Sequence, residues 1–173
     1  RIDLSLVETG EIPKFDVILM NPPFNLPYED SQSLNRYELG RGHPSQGSDY
    51  LMLERALRLL KEETGRLLII MPHGVASGTS EREVRNFIKQ KSRIGGCVSL
   101  PVGCFKPFGG SNARTCVLLL SKPSHPVDPN AARFLAACEN VGFDTTSKYY
   151  AVTDQNDLPE IADAFLSKES AIS

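Results

Sequence analysis

The sequence predicts an α/β fold built on a mostly parallel sheet that ends in an antiparallel hairpin. Three observations predict it. Four short apolar runs rich in β-formers, Phe15 to Met20, Arg66 to Met71, Ile94 to Leu100 and Arg114 to Leu120, read as buried strands. Stretches with apolar residues at helical spacing separate the first three, as parallel crossovers require. Only about 13 residues link the third and fourth runs, too few for a helical crossover, so that pair is expected to be antiparallel.

Taken in order, residues 1–14 form a lead-in with weak alternation at Ile2, Leu4 and Leu6, consistent with one edge strand. The first core strand closes abruptly in Asn21-Pro22-Pro23-Phe24. Residues 25–47 are polar and lack periodicity. A stretch this long is usually functional or disordered. Because it follows the strand end directly, it reads as a mobile lid or substrate-facing loop, with a disordered insertion as the alternative. Gly40-Arg41-Gly42 neither follows a strand nor opens a helix, so it is a weak phosphate-loop signal.

A helix is expected over 48–64, with Ser48 as N-cap, Asp49 in the first turn, Leu53, Ala56, Leu57 and Leu60 on the apolar face, and Gly65 as the stop. Pro72 closes the second strand. His73 then sits in a strand-end loop, either facing a site at that rim or as an ordinary loop histidine. Ser80 and Glu83 have the spacing of a capping box for a helix that buries Val84, Phe87 and Ile88. Its other side carries Arg82, Arg85, Lys89, Lys91 and Arg93. That face is read as solvated, with phosphate contact as the alternative. Pro101, Gly103, Pro107, Gly109 and Gly110 mark a turn around Phe105 and Phe108. Past the break from Pro123 to Pro129, Ala132 to Ala137 can form one more strand, and Asp157-Leu158-Pro159-Glu160 starts a short helix carrying Ile161, Ala162, Phe165 and Leu166.

Composition narrows the function classes. The 173 residues suffice for one domain with a core. The formal net charge of −2 excludes a generally basic nucleic-acid binder, so any DNA contact is local or comes through a partner. No apolar run approaches the roughly 20 residues of a membrane span. No signal peptide is expected, and Cys97, Cys104, Cys116 and Cys138 show no metal-like spacing; three of them, in or beside apolar runs, read as reduced core residues. A cytoplasmic protein without membrane or metal site is expected. The chain opens at Arg1 without an initiator Met, which predicts a fragment or processed chain.

Asn21-Pro22-Pro23-Phe24 carries the chemistry. The prolines forbid both ladder and helix, and Pro22 biases Asn21 toward extended backbone. A planar amide thus sits on a stiff turn at the carboxyl end of a strand, where open α/β sheets bind ligands. With a proline carbonyl and a ring beside it, the set can hold a flat, amine-bearing ring. The alternative is a plain strand-terminating turn.

Asn-Pro-Pro-Phe after such a strand resembles the catalytic motif of S-adenosylmethionine-dependent amino-methyltransferases, especially the N6-adenine DNA methyltransferases. Downstream blocks narrow the resemblance: Leu67-Leu68-Ile69-Ile70-Met71-Pro72-His73-Gly74-Val75, Glu83-Val84-Arg85-Asn86-Phe87-Ile88, Val98 to Phe105, and Thr115 to Leu120. In order and spacing these are similar to the modification subunit of type I restriction–modification systems, from about Phe15 to Lys122. The resemblance implies a partial Rossmann-like methyltransferase core, with residues 1–122 as its C-terminal half and 123–173 as a trailing strand and short helix of the same domain.

The same resemblance implies that Asn21 and the Pro22 carbonyl accept the N6 hydrogens of an adenine flipped out of DNA, that Pro23 stiffens the turn, and that Phe24 stacks on the base. It implies S-adenosylmethionine as cofactor, and specificity and restriction subunits as partners. The family's glycine-rich cofactor motif lies upstream of Asn-Pro-Pro-Phe and is missing from this chain. No cofactor-binding residue is therefore assigned. The chain alone is expected to be inactive, to bind S-adenosylmethionine weakly and to self-associate through uncovered apolar surface. The competing functions are methylation of protein glutamine or RNA bases, and a non-catalytic half-core scaffold.

Overall fold

The computed structural model describes residues 9–24, 26–110, 112–123 and 131–172. The expected N-terminal edge strand, Asn25 and the Pro123–Pro129 break (beyond Pro123 itself) lie outside them. The first strand is Val17–Met20 (β1), shorter than the apolar run, because Phe15 forms only an isolated bridge to Leu60. After the proline turn come the two-residue strand Pro27–Tyr28 (β2), the one-turn helix Ser31–Leu34 (α1) and Gln46–Gly47 (β3), which pairs antiparallel with β2.

Ser48–Leu59 (α2) leads to Arg66–Pro72 (β4), and the short helix Gly74–Ser77 (α3) to Arg82–Lys91 (α4) and Arg93–Ser99 (β5). Thr115–Ser121 (β6), Phe134–Ala137 (β7), Val141–Phe143 (β8), Val152–Asn156 (β9) and Leu158–Ile172 (α5) complete the chain. The sheet order is β1-β4-β6-β5-β7. β1 pairs parallel with β4, and β7 parallel with β5. The short-linked β5 and β6 pair antiparallel, as expected. β6 also pairs antiparallel with β4 and so lies inside the sheet, between its parallel neighbours.

One face of the sheet is a closed core. Leu67, Ile69 and Met71 of β4, Cys116, Leu118 and Leu120 of β6, and Ile18 and Met20 of β1 meet Leu53, Ala56 and Leu57 of α2 and Val84, Phe87 and Ile88 of α4. The opposite face is covered only on its β5–β7 side. There Val98, Val117, Leu119, Phe134 and Ala136 pack with Cys138, Val141 and Ile161, and Phe134 meets Phe165 of α5 edge-on at 5.4 Å. On the β1 side Val17 is exposed and Leu19 is 74% exposed. The first strand is therefore buried on one face, not both, because no described residue covers its second face.

Four further expectations are corrected. The 26–47 stretch is not structureless but packed. Leu34 and Leu39 reach the core, and the carboxylate of Glu54, itself 0% exposed, accepts the backbone N–H groups of Glu38 and Leu39 at 2.8 and 2.9 Å. Arg58, one turn on, pairs with the same carboxylate and donates to the Arg36 carbonyl.

The helix predicted over 48–64 stops at Leu59, with Gly47 rather than Ser48 at the cap position. Leu60 is extended because it is wholly buried against Phe15, so Gly65 is not the stop. The capping box does not form. Glu81 holds the cap position, its carboxylate seated against Gly74 and Gly78; Ser80 donates to it at 2.8 Å, and Glu83 faces His43 at 3.3 Å. The last helix is long, 15 residues, and the β8–β9 hairpin before it was not foreseen.

The basic side of α4 is partly engaged within the protein. Lys91 pairs with Glu38 at 2.8 Å, and Arg85 reaches the Gly74 and Val75 carbonyls at 3.4 and 3.5 Å.

Glu54→Ala should leave two loop N–H groups and Arg58 without their acceptor. The expected loss is about 3 kcal/mol of unfolding free energy, measured by urea titration. A change below about 0.5 kcal/mol would show that the loop is held by its leucines alone.

Candidate active site

The carboxyl ends of β1, β4 and β5 and the start of β6 form one rim. Backbone bonds tie it together: His73 N–H donates to the Arg114 carbonyl at 2.9 Å, and Leu100 N–H to the Thr115 carbonyl at 3.0 Å. Thr115 is fully buried beneath, within 3.6 Å of the Cys104 sulfur. Burial pushes the Cys104 thiol up, the contact with Thr115 only partly opposing it, so this cysteine stays a neutral packing group.

Asn21-Pro22-Pro23-Phe24 leaves β1 at this rim. Asn21 is exposed, and by strand alternation it continues the Val17 and Leu19 face. No described residue hydrogen-bonds its side-chain amide. Pro22 is buried and anchors the turn, while Pro23 is exposed. The N-terminus of α2 clasps the segment from behind: Ser48 N–H donates to the Leu26 carbonyl at 2.9 Å, and the Ser48 hydroxyl to the Pro23 carbonyl at 3.5 Å. Tyr50, one residue into that first turn from buried Asp49, has its phenol pushed up to about 12 by burial and by the nearby Asp49 and Glu81 carboxylates. It remains a protonated donor.

Phe24 is half-buried against Phe105, ring centroids 6.3 Å apart at 64°. Phe105 lies on the turn between β5 and β6, so the fold brings a second ring to the motif. Sequence reasoning placed Phe105 only in a connecting turn. The available signal was an aromatic flanked by Gly103 and Gly109 just past a strand end. Both glycines have positive φ, +73° and +82°, which fixes the turn that presents the ring.

His73 stands on the same rim, its Nδ1 3.2 Å from the Ser77 hydroxyl, and it opens α3. It is occupied locally and is not drawn to the Asn21 amide.

At this rim the described residues offer S-adenosylmethionine no open glycine turn at a helix start. The one glycine-bearing turn at this rim that opens a helix, Gly74 to Gly78, is filled by the Glu81 carboxylate. Among the described residues no cluster of three or more His, Cys, Asp or Glu side chains is arranged to hold a metal ion, and no helix is long and apolar enough to cross a membrane.

With this geometry in hand, the family model for N-6 DNA methylases matches residues 3–171. The chain belongs to the N-6 DNA methylase family. Solved structures share the fold. A protein described as a class I S-adenosylmethionine-dependent methyltransferase from Listeria monocytogenes superposes with a TM-score of 0.64 at 24% identity, over 91% of this chain and 42% of that one. The methyltransferase subunit of a type I restriction–modification system from Streptococcus thermophilus gives 0.64 at 25% identity, over 92% of this chain and 33% of that one. A type I modification subunit from Vibrio vulnificus gives 0.56 at 22%, over 75% and 29%. This member of the N-6 DNA methylase family thus spans less than half the length of the solved proteins it matches. No curated protein matches it.

Gly110→Ala would place a methyl group 2.7 Å from the Cβ and carbonyl oxygen of Phe105. Phe105 must then move. Nuclear Overhauser contacts between the Phe24 and Phe105 rings should weaken or vanish, while those between Phe134 and Phe165 persist. Equal loss at both pairs would mean general unfolding instead.

Proposed function

We propose that this chain carries the base-side half of an adenine-N6 DNA methyltransferase active site. The observation that carries the proposal is Asn21, exposed at the end of β1 on a stiff two-proline turn, with the Phe24–Phe105 ring pair beside it. Membership in the N-6 DNA methylase family supports DNA adenine as the substrate, and nothing observed favours protein glutamine or RNA.

In this reading the Asn21 side-chain oxygen and the Pro22 carbonyl accept the two hydrogens of the adenine N6 amine. Both are acceptors, so they bind the amine and turn its lone pair outward. Pro23 and the Ser48 clasp keep them in place before the base arrives, which avoids ordering cost during reaction. Phe24 stacks on the extruded base, a contact worth roughly 1–3 kcal/mol by analogy with single-strand binders. Phe105 backs that ring and limits its rotation.

S-adenosylmethionine supplies the methyl group when bound. Its site is assigned to sequence outside these residues, in line with the upstream glycine-rich motif of the family. Residues 1–122 are proposed as the C-terminal half of the core and 123–173 as its trailing part. Specificity and restriction subunits are the proposed partners, by likeness to the type I subunit from Streptococcus thermophilus. A cytoplasmic location fits this role, and the uncovered β1 face is the proposed route of self-association for the isolated chain.

In the full-length protein, Asn21→Ala should lower kcat at least about 100-fold, the usual cost of losing a preorganised polar contact in a transition state. Circular dichroism and cofactor titration should be unchanged. Turnover near that of the parent protein would sink the assignment. For the 173-residue chain alone, calorimetric titration with S-adenosylmethionine should give no binding at micromolar concentrations.

A further inference from the structure

The turn that presents Phe105 carries a second ring three residues on. Phe108 is 61% exposed and meets Phe143 edge-on at 5.3 Å and Tyr150 at 5.5 Å; Phe143 and Tyr150 are also 5.5 Å apart. Phe143 is the inner ring, half-buried with the Val98–Val141 cluster. Phe108 and Tyr150, the latter 56% exposed, face outward. With more than half of each ring residue exposed, burial of their own surface does not account for them.

The loops that carry the cluster are also tied together. Lys106 Nζ donates to the Thr146 carbonyl at 2.5 Å, bridging its two loops. Asp144 accepts the Thr146 N–H and hydroxyl at 2.8 and 2.7 Å, and its own N–H donates to the Ala151 carbonyl. Ordered, exposed rings bind at low entropic cost.

Position says what meets them. Phe108 lies three Cα steps from Phe105, at most about 11 Å along the chain. Phe105 in turn touches Phe24, so the nucleotides flanking an adenine held against Phe24 are the DNA groups nearest to this turn. Two lysines lie on the loops that carry the rings. Lys106 spends one of its three hydrogens on Thr146, and Lys148 is exposed on the facing loop. Asp144 is the nearby anion: hydrogen bonds from the Thr146 hydroxyl and N–H hold its carboxyl below the usual carboxylate range, with a smaller contribution from Lys106. Exposed aromatics flanked by lysines are the parts of a stacking platform for nucleic acid.

We propose that the Phe108–Tyr150 face is a DNA platform that stacks on the nucleotide next to the flipped adenine and contacts its phosphates through Lys106 and Lys148. The proposal rests on the reading of Asn21 to Phe24 as the adenine site.

The test uses the full-length protein and fluorescein-labelled duplex DNA bearing its mapped methylation site. The double variant Phe108→Ala, Tyr150→Ala should raise Kd by anisotropy, and KM for DNA, about tenfold or more, with kcat within about twofold. Phe108→Trp should bind as tightly as the parent. Lys148→Glu, at an exposed position that does not endanger folding, should weaken binding and lower the slope of log Kd against log salt by about one or more. Unchanged affinity in the double variant with an unchanged melting curve, or in Lys148→Glu, would overturn the platform. So would loss of a protein partner on gel filtration while DNA affinity holds, which would make the face a protein interface. The adenine reading fails separately: Asn21→Ala with normal turnover rejects it whatever the DNA affinities show.

Discussion

Helix α2 is fastened at both ends to the segment that contains the candidate site, and the rest of the arrangement depends on that clamp. At its C-terminal end, Phe15 N–H donates to the Leu59 carbonyl at 2.8 Å and Lys61 N–H to the Phe15 carbonyl at 2.9 Å. At its N-terminal end, Ser48 reaches the Pro23 and Leu26 carbonyls. Between these ties the helix buries Leu53, Ala56 and Leu57 on the sheet. The strand, the proline turn and the splinting helix therefore form one unit. Asn21 is held from both sides although it makes no hydrogen bond of its own to any described residue.

The same helix organises the loop that follows the motif. A buried carboxylate is costly unless its oxygens are satisfied. Glu54 meets that condition with two loop N–H groups and Arg58, and so converts a polar, aperiodic stretch into a packed one. The loop is thereby tied to α2.

The second face of the sheet divides the molecule by role. Toward β7 it is covered by α5 and the residues around Val141, which support the turn bearing Phe105 and Phe108. Toward β1 it presents Val17 and Leu19. Two ring systems thus stand on one supported turn: one backs the Asn-Pro-Pro-Phe phenyl, and the other looks outward. Under the proposed function both have a common reading, a base held at the strand end and its neighbours met beside it.

What the sequence determined by itself was the local content. Apolar runs marked β1, β4, β5 and β6, because burial selects the same side chains wherever the strand ends up. The proline pair marked the stop of β1, because no partner can restore the missing N–H. The short link between β5 and β6 implied their antiparallel pairing, because chain length alone limits the crossover.

Tertiary structure decided everything that depends on contacts between distant residues. Leu60 ends α2 early because Phe15 claims it, against its helical spacing. Glu81 replaces Ser80 at the head of α4 because Gly74, at the start of the preceding helix, and Gly78, just past its end, make room for its carboxylate. β6 enters between β4 and β5, an order no local pattern encodes. Phe105 reaches Phe24 for the same reason: ring contacts across a rim are set by sheet order and turn geometry, and neither is written in the residues around either ring.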